Sequence, residues 1–255
     1  MKPNIVVDVG NTRIKWGRCA EDRVVEQASL PPYAPESWEQ QVKQWEIKDL
    51  TSWVVASVNP EEQSWILNWV KQRGDKMTLI QDRKRLPIDI AISEPDRVGL
   101  DRLLNAVAAK DRVARGTSIF IIDAGSAVTV DWVDEAGAFR GGAIFPGAQL
   151  MANALHDYTA ALPLLKTWAN RGFANPQLPG TGTTAAIEAG IFWAVAGGIK
   201  ALLRQLAARA GASRRHEIFL TGGEAWYLAP VMDLDVQLWP TMTLEGIRLA
   251  AEALP

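Results

Sequence analysis

A short block occurs twice in this chain. Ile5-Val6-Val7-Asp8 is an apolar run that ends in an acid and is followed by Gly10-Asn11-Thr12. At Asp123, 115 residues after Asp8, the run Ser118-Ile119-Phe120-Ile121-Ile122-Asp123 repeats the pattern and leads into Gly125-Ser126. Each run has the length of a buried strand, and the glycine after it marks a tight turn. Alternating apolar residues follow each copy: Ile14 and Trp16 in the first, Val128, Val130 and Trp132 in the second. Each turn therefore opens a second strand. The duplication divides 255 residues nearly in half. It argues for two related domains, 1–115 and 116–255, rather than one continuous core.

Strands and helices interleave in both halves. Trp53 to Val58 and Met77 to Ile80 read as strands. Ser37 and Gln40 have capping-box spacing ahead of Trp38, Val42 and Trp45 on one helical face. Asn59-Pro60-Glu61-Glu62 supplies a cap, an N1 proline and first-turn acids for a helix ending near Gly74. Beyond Gly99, a helix carries Leu100, Leu103, Leu104 and Val107 and closes near Gly116. The second half adds a glycine-punctuated strand at Phe139–Gly147, a long helix from about Ala185 to Ala210, and a strand at Glu217–Thr221. Thr243 is the expected cap of a last helix, and 167–183 reads as a loop. The pattern is that of an α/β protein with two domains facing a cleft.

Composition excludes several functions. With 27 Lys and Arg against 29 Asp and Glu, the net charge of −2 offers no basic excess for nucleic acid or an anionic bilayer. Cys19 is the only cysteine, so no intrachain disulfide forms, and two histidines make no Cys/His metal cluster. No stretch reads as approaching the roughly 18 apolar residues of a membrane span, and the N-terminus does not read as a signal peptide. A cytoplasmic protein is expected. The tryptophans at 38, 45, 65 and 69 have helical spacing and are expected in the core or an interface.

A strand ending in Asp and a Gly turn puts a carboxylate and several backbone N–H groups at one end of a sheet. Glycine lets the backbone approach a phosphate, and the N–H groups donate to its oxygens. The carboxylate repels a bare phosphate, so it suits a bridging cation. Lys15 adds a positive charge near the same phosphates. Two such turns, one per domain, suit the two sides of a triphosphate, and Thr221-Gly222-Gly223 offers a third close approach for a flat adenosine.

Asp8-Val9-Gly10-Asn11-Thr12-Arg13-Ile14-Lys15, Gly99-Leu100-Asp101-Arg102, Asp123-Ala124-Gly125-Ser126-Ala127-Val128-Thr129 and Gly141-Gly142-Ala143-Ile144-Phe145-Pro146-Gly147 stand in the order seen in type III pantothenate kinases. The resemblance covers nearly the whole chain, and extends to the Bvg accessory factor group. It implies two ribonuclease-H-like domains of the actin/Hsp70/sugar-kinase superfamily, and ATP-dependent phosphorylation of pantothenate on the way to coenzyme A. It further implies that Asp101 is the base, that Gly99, Leu100 and Arg102 line the pantothenate pocket, and that Thr183 reaches the substrate across a homodimer. Asp8 to Lys15 would hold the ATP phosphates, with Asp8 near Mg²⁺, while Ser126, Gly222 and Gly223 contact the nucleotide. Asp123 would bind a monovalent cation, potassium or ammonium.

One position departs from the pattern. Where the family commonly has Tyr, three residues before Pro95, this chain has Ile92. That bears on the substrate rather than on the phosphate motifs. A regulatory protein that keeps the nucleotide site without turnover, and a related kinase with another substrate, remain the alternatives.

Overall fold

The computed structural model describes residues 2–48, 50–57, 59–165, 176–211 and 215–254. In chain order the first elements are β1 (Ile5–Val9), β2 (Ile14–Ala20), β3 (Arg23–Leu30), α1 (Pro35–Gln44), β4 (Ser52–Ser57), α2 (Pro60–Gln72), β5 (Lys76–Ile80), the two-residue β6 (Asp89–Ile90) and α3 (Leu100–Arg112). Then come β7 (Ser118–Ala124), β8 (Ala127–Val133), β9 (Ala138–Pro146), α4 (Ala148–Asp157), α5 (Thr183–Ala210), β10 (His216–Thr221), α6 (Ala225–Leu228), β11 (Val236–Leu238) and α7 (Met242–Ala253). They form two compact units: Met1–Arg112 with Thr241–Pro255, and Val113–Pro240. A division at 115/116 alone would give α7 to the second unit. Instead α7 packs on α3 and β1, burying Leu244, Ile247 and Ala251 in the first.

In the first unit the strand order is β3-β2-β1-β4-β5. β1 runs antiparallel to β2 and parallel to β4. All five β1 residues are buried, as a central strand covered on both faces requires. Alternation sorts them. Ile5, Val7 and Val9 join Ile14 and Trp16 in a core with α1 and α2. Val6 turns the other way, where a Cβ on Gly17 would strike Val6 and Val24 and lie 3.3 Å from Leu244 of α7. Asp8 follows Val6 onto that second face.

Tryptophan builds the first core. Trp16 lies against Trp45, Trp53 and Trp69, and Trp38 meets Trp69 edge-on at 5.6 Å. The indole N–H groups of Trp38, Trp53 and Trp69 donate to Pro31, Asp75 and Glu39. These three rings thus fill the layer with their polar edges satisfied, whereas the buried N–H of the central Trp16 has no hydrogen-bond partner. Trp65 differs: it is exposed, with Tyr33 edge-on beside it.

The second unit repeats the first. Its strands run β9-β8-β7-β10-β11, antiparallel through β9, β8 and β7 and parallel through β7, β10 and β11. Counted within each unit, both orders are third, second, first, fourth, fifth. Phe120, Ile122, Val128, Val130 and Leu220 face α5, which buries Phe192, Val195, Ala196, Ile199 and Leu203 on them. α5 is 28 residues long and apolar enough to pass a length-and-composition test for a membrane span, contrary to the sequence expectation. Its apolar stripe lies on the sheet, as in a core helix of a globular domain.

Some local expectations shift. α1 begins at Pro35, two residues before Ser37, because proline is pre-organised for the first helical turn, and its N-cap is Ala34. Asn59 caps α2 through Glu61 N–H at 3.2 Å. The N-cap position of the last helix is Thr241, whose side chain makes no capping bond. Thr243 is buried inside α7, its hydroxyl bonded to Asn105 at 2.8 Å. Val58 and 167–175 lie outside the described residues, and α5 already begins at Thr183.

Candidate active site

In the first unit, Asp8 and Lys15 are direct partners in the β1–β2 ladder, as are Val9 and Ile14. Directly opposed residues of an antiparallel pair project from the same side. The four residues between the strands close with a bond from Gly10 N–H to the Arg13 carbonyl at 3.2 Å. Asn11, Thr12 and Arg13 are exposed at this tip, while Asp8 is buried at its root. The arrangement offers outward N–H groups and side chains above a sheltered carboxylate.

Asp101 lies in the first turn of α3, after Gly99 and the buried Leu100. Its Oδ1 accepts from the Arg102 N–H at 2.9 Å. The carboxylate also folds over Gly99, where an added Cβ would lie 2.5 Å from Oδ1. Glycine before the helix therefore gives Asp101 its room. α3 and α7 cover the sheet face that bears Asp8 and Lys15. The Asp8 turn and the Asp101 helix start, 93 positions apart in sequence, so share one face of one sheet.

In the second unit, Asp123 is partnered by Thr129 on β8 and by Thr221 on β10. Alternation places all three on the face away from α5, since Ile122, Val128, Val130 and Leu220 take the α5 face. Thr129 and Thr221 are buried, and the Thr129 hydroxyl has no hydrogen-bond partner. A carboxylate between two hydroxyls, one of them unsatisfied, is an oxygen set that fits a hard monovalent cation. Among the described residues no group of three or more His, Cys, Asp or Glu is placed to hold a metal. A divalent ion beside Asp8 would then draw its other ligands from phosphate and water, as Mg²⁺ ordinarily does.

The Gly125-Ser126 turn is shorter than its counterpart. Ala124 pairs with Val128, against Val9 with Ile14 in the first unit. Ser126 accepts from Gly147 N–H at 3.0 Å, which fixes the start of α4 beside the turn. After β10, Gly222 takes φ +96° and rests on the Ala124 backbone so closely that any Cβ would collide with it. A residue with a side chain is excluded there twice over. Gly223 is exposed beside it. Ser126, Gly222 and Gly223 are thus brought to one end of the second sheet.

Thr183 is the exposed first residue of α5. Glu224 escaped the sequence reading altogether, and Thr129 and Thr221 were read there as parts of their motifs but not as partners of Asp123. That pairing was readable only once the registers of the β7–β8 hairpin and the parallel β7–β10 ladder were known. Glu224 opens α6 and carries a carboxyl pushed up to about 7, burial outweighing the bond it accepts from Ala148 N–H. Cys19 is inert: burial pushes its thiol up to about 12.

The chain is 12–14% identical to solved structures of the same fold. These include the activator of 2-hydroxyisocaproyl-CoA dehydratase from Clostridium difficile with bound ADPNP (TM-score 0.54, covering 99% of this chain and 96% of that one). Another is a putative 2-dehydro-3-deoxygalactonokinase from Sinorhizobium meliloti (TM-score 0.56, covering 98% of both). The fold is the actin-like one of these structures, built on two ribonuclease-H-like units. Curated relatives are closer. A type III pantothenate kinase of Rhodopirellula baltica is 38% identical over 66% of this chain, a stretch that spans 56% of that relative. One from Moorella thermoacetica is 29% identical over 97% of this chain and 98% of its own length. The family model for type III pantothenate kinase matches residues 4–205, a span that contains both acid–glycine turns, the Asp101 helix start and Thr183. With its motifs carried on the duplicated fold and matched along most of its length, this chain belongs to the type III pantothenate kinase family.

Proposed function

We propose that this chain transfers the γ-phosphoryl group of ATP to the primary hydroxyl of pantothenate, at the entry to coenzyme A synthesis. The observation that carries this reading is Asp101 at the start of α3, on the sheet face that also bears Asp8 and Lys15. Phosphoryl transfer asks for positioning, charge neutralisation and a proton acceptor beside the attacking hydroxyl. Asp101 takes that proton as the alcohol oxygen bonds to the γ-phosphorus. The bond from that phosphorus to the bridging oxygen breaks, and ADP leaves with the electron pair.

The other residues bind. Within the Val9 to Ile14 segment, Asn11, Thr12 and Arg13 present the tip of the first turn to the phosphates, and Lys15 adds its charge. Asp8 would stand near Mg²⁺ bound through the phosphates, and the ion would supply charge neutralisation there. Asp123, with Thr129 and Thr221, holds the monovalent cation, while Ser126, Gly222 and Gly223 meet the nucleotide. Gly99, Leu100 and Arg102 receive pantothenate, the guanidinium suiting its carboxylate. We further propose a cytoplasmic homodimer in which the exposed Thr183 reaches pantothenate bound to the second copy.

ADP release in the presence of ATP, Mg²⁺ and potassium tests the reaction, with pantothenate, pantetheine and simple sugars as acceptors. Turnover on pantothenate is the expected result. Turnover on another alcohol reassigns the substrate and makes Ile92 the first place to look. ATP binding without ADP release would favour a regulatory protein. The mass in solution reads the dimer.

A further inference from the structure

Glu224 belongs to none of the motifs above, yet it links three of them. Its backbone N–H donates to the Ala124 carbonyl at 3.0 Å, next to Asp123. Its carboxylate accepts from the N–H of Ala148, the first residue of α4. The N-cap of that helix is Gly147, which has no side chain to offer, so Glu224 serves as its cap from outside. Gly147 in turn donates to Ser126. The β7–β8 turn, the start of α4 and the β10–α6 turn are thereby closed into a ring.

The setting is unusual for a carboxyl. Ala148, Phe192, Val195, Tyr227 and Leu228 line a narrow pocket with it. These walls come from α4, α5 and α6, and Tyr227 is the titratable side chain among them. Burying an ionisable group this way lowers stability. A neutral amide would satisfy the same N–H.

Resting on the kinase reading, we propose that Glu224 is a positioning residue for the nucleotide, whose carboxylate holds the first N–H of α4 and so keeps the Thr221-Gly222-Gly223 turn in register with the Gly125-Ser126 turn. The bond is charge-assisted only in the ionised form. Burial brings the carboxyl to about 7, so the grip weakens as pH falls through neutrality. ATP affinity weakens with it.

The test measures ATP affinity by calorimetry and both KM values by turnover, from pH 6 to pH 8. Glu224→Ala should weaken ATP binding about tenfold at pH 8, the effect of losing one buried charge-assisted bond, with KM for pantothenate nearly constant. Glu224→Gln, whose neutral amide oxygen still accepts, should restore part of that affinity, to about the wild-type level at pH 6, and show a shallower pH dependence than wild type. The nucleotide's own titration is common to both proteins, so their difference is the quantity read. Unchanged ATP affinity in Glu224→Ala overturns the proposal, as do equal rises in both KM values or identical pH profiles for wild type and Glu224→Gln. If Glu224→Ala does not fold, the profile of Glu224→Gln decides alone. Weakened ATP binding supports the proposal even where another alcohol proves to be the acceptor; wild-type protein that binds no ATP overturns both readings.

Discussion

Asp8 stands directly across the β1–β2 ladder from Lys15, and the residue in the matching place across from Asp123 is Thr129. The two units share strand order and the acid–glycine turn, yet the partner of the acid differs. A lysine beside the first acid suits phosphate; a hydroxyl beside the second suits a cation. The two units share a frame, and in the proposed reading the difference at this one ladder position divides the chemistry.

Asp101→Asn should lower kcat by about 100-fold or more, the usual span for a positioned proton acceptor. The variant keeps the oxygen that accepts from Arg102 N–H, so the fold should be retained. Steady-state kinetics with pantothenate read the outcome. Turnover near wild type would reassign the base.

Gly99→Ala places a methyl where the Asp101 carboxylate rests. The carboxylate must swing away, so kcat should fall about tenfold or more while ATP affinity is kept. Gly99 is the N-cap of α3, where alanine is disfavoured, so a thermal melt is read beside the kinetics to separate lost stability from a displaced carboxylate. Unaltered kcat would show that Asp101 reacts from a different rotamer.

Thr129→Val removes a buried hydroxyl that lacks a protein partner. Without potassium, thermal unfolding should show no loss of stability, since a buried unsatisfied group costs about 1–3 kcal/mol. With potassium, the variant should lose most of its activation. Wild type should itself slow when sodium replaces potassium. Equal rates in the two salts would remove the cation from Asp123.

Glu224 sets a pH dependence of stability with a definite sign. Its folded value of about 7 lies above the ordinary 4.5, so the folded state holds this proton more tightly than the unfolded one. That contribution is complete below about pH 4.5 and is lost as pH rises to about 7. Glu224→Gln should therefore raise Tm relative to wild type at pH 8 and narrow the gap at pH 5. Parallel curves at both pH values would place the carboxyl in solvent.

Sequence alone determined the duplicated strand–turn units, because a buried central strand must be apolar throughout and the glycine turn after it has few substitutes. It also determined the motif residues, whose chemistry is local: Asp101 and Gly99 are neighbours along the chain. It did not determine where the last helix belongs, since α7 joins the first unit through Leu244, Ile247 and Ala251, over 130 residues from α3. Nor did it reveal the Thr129–Asp123–Thr221 row, which depends on the register of two ladders, or the Glu224 cap on α4. Those relations are set by long-range packing and pairing, and a linear pattern carries the period of a strand but not the partner it meets.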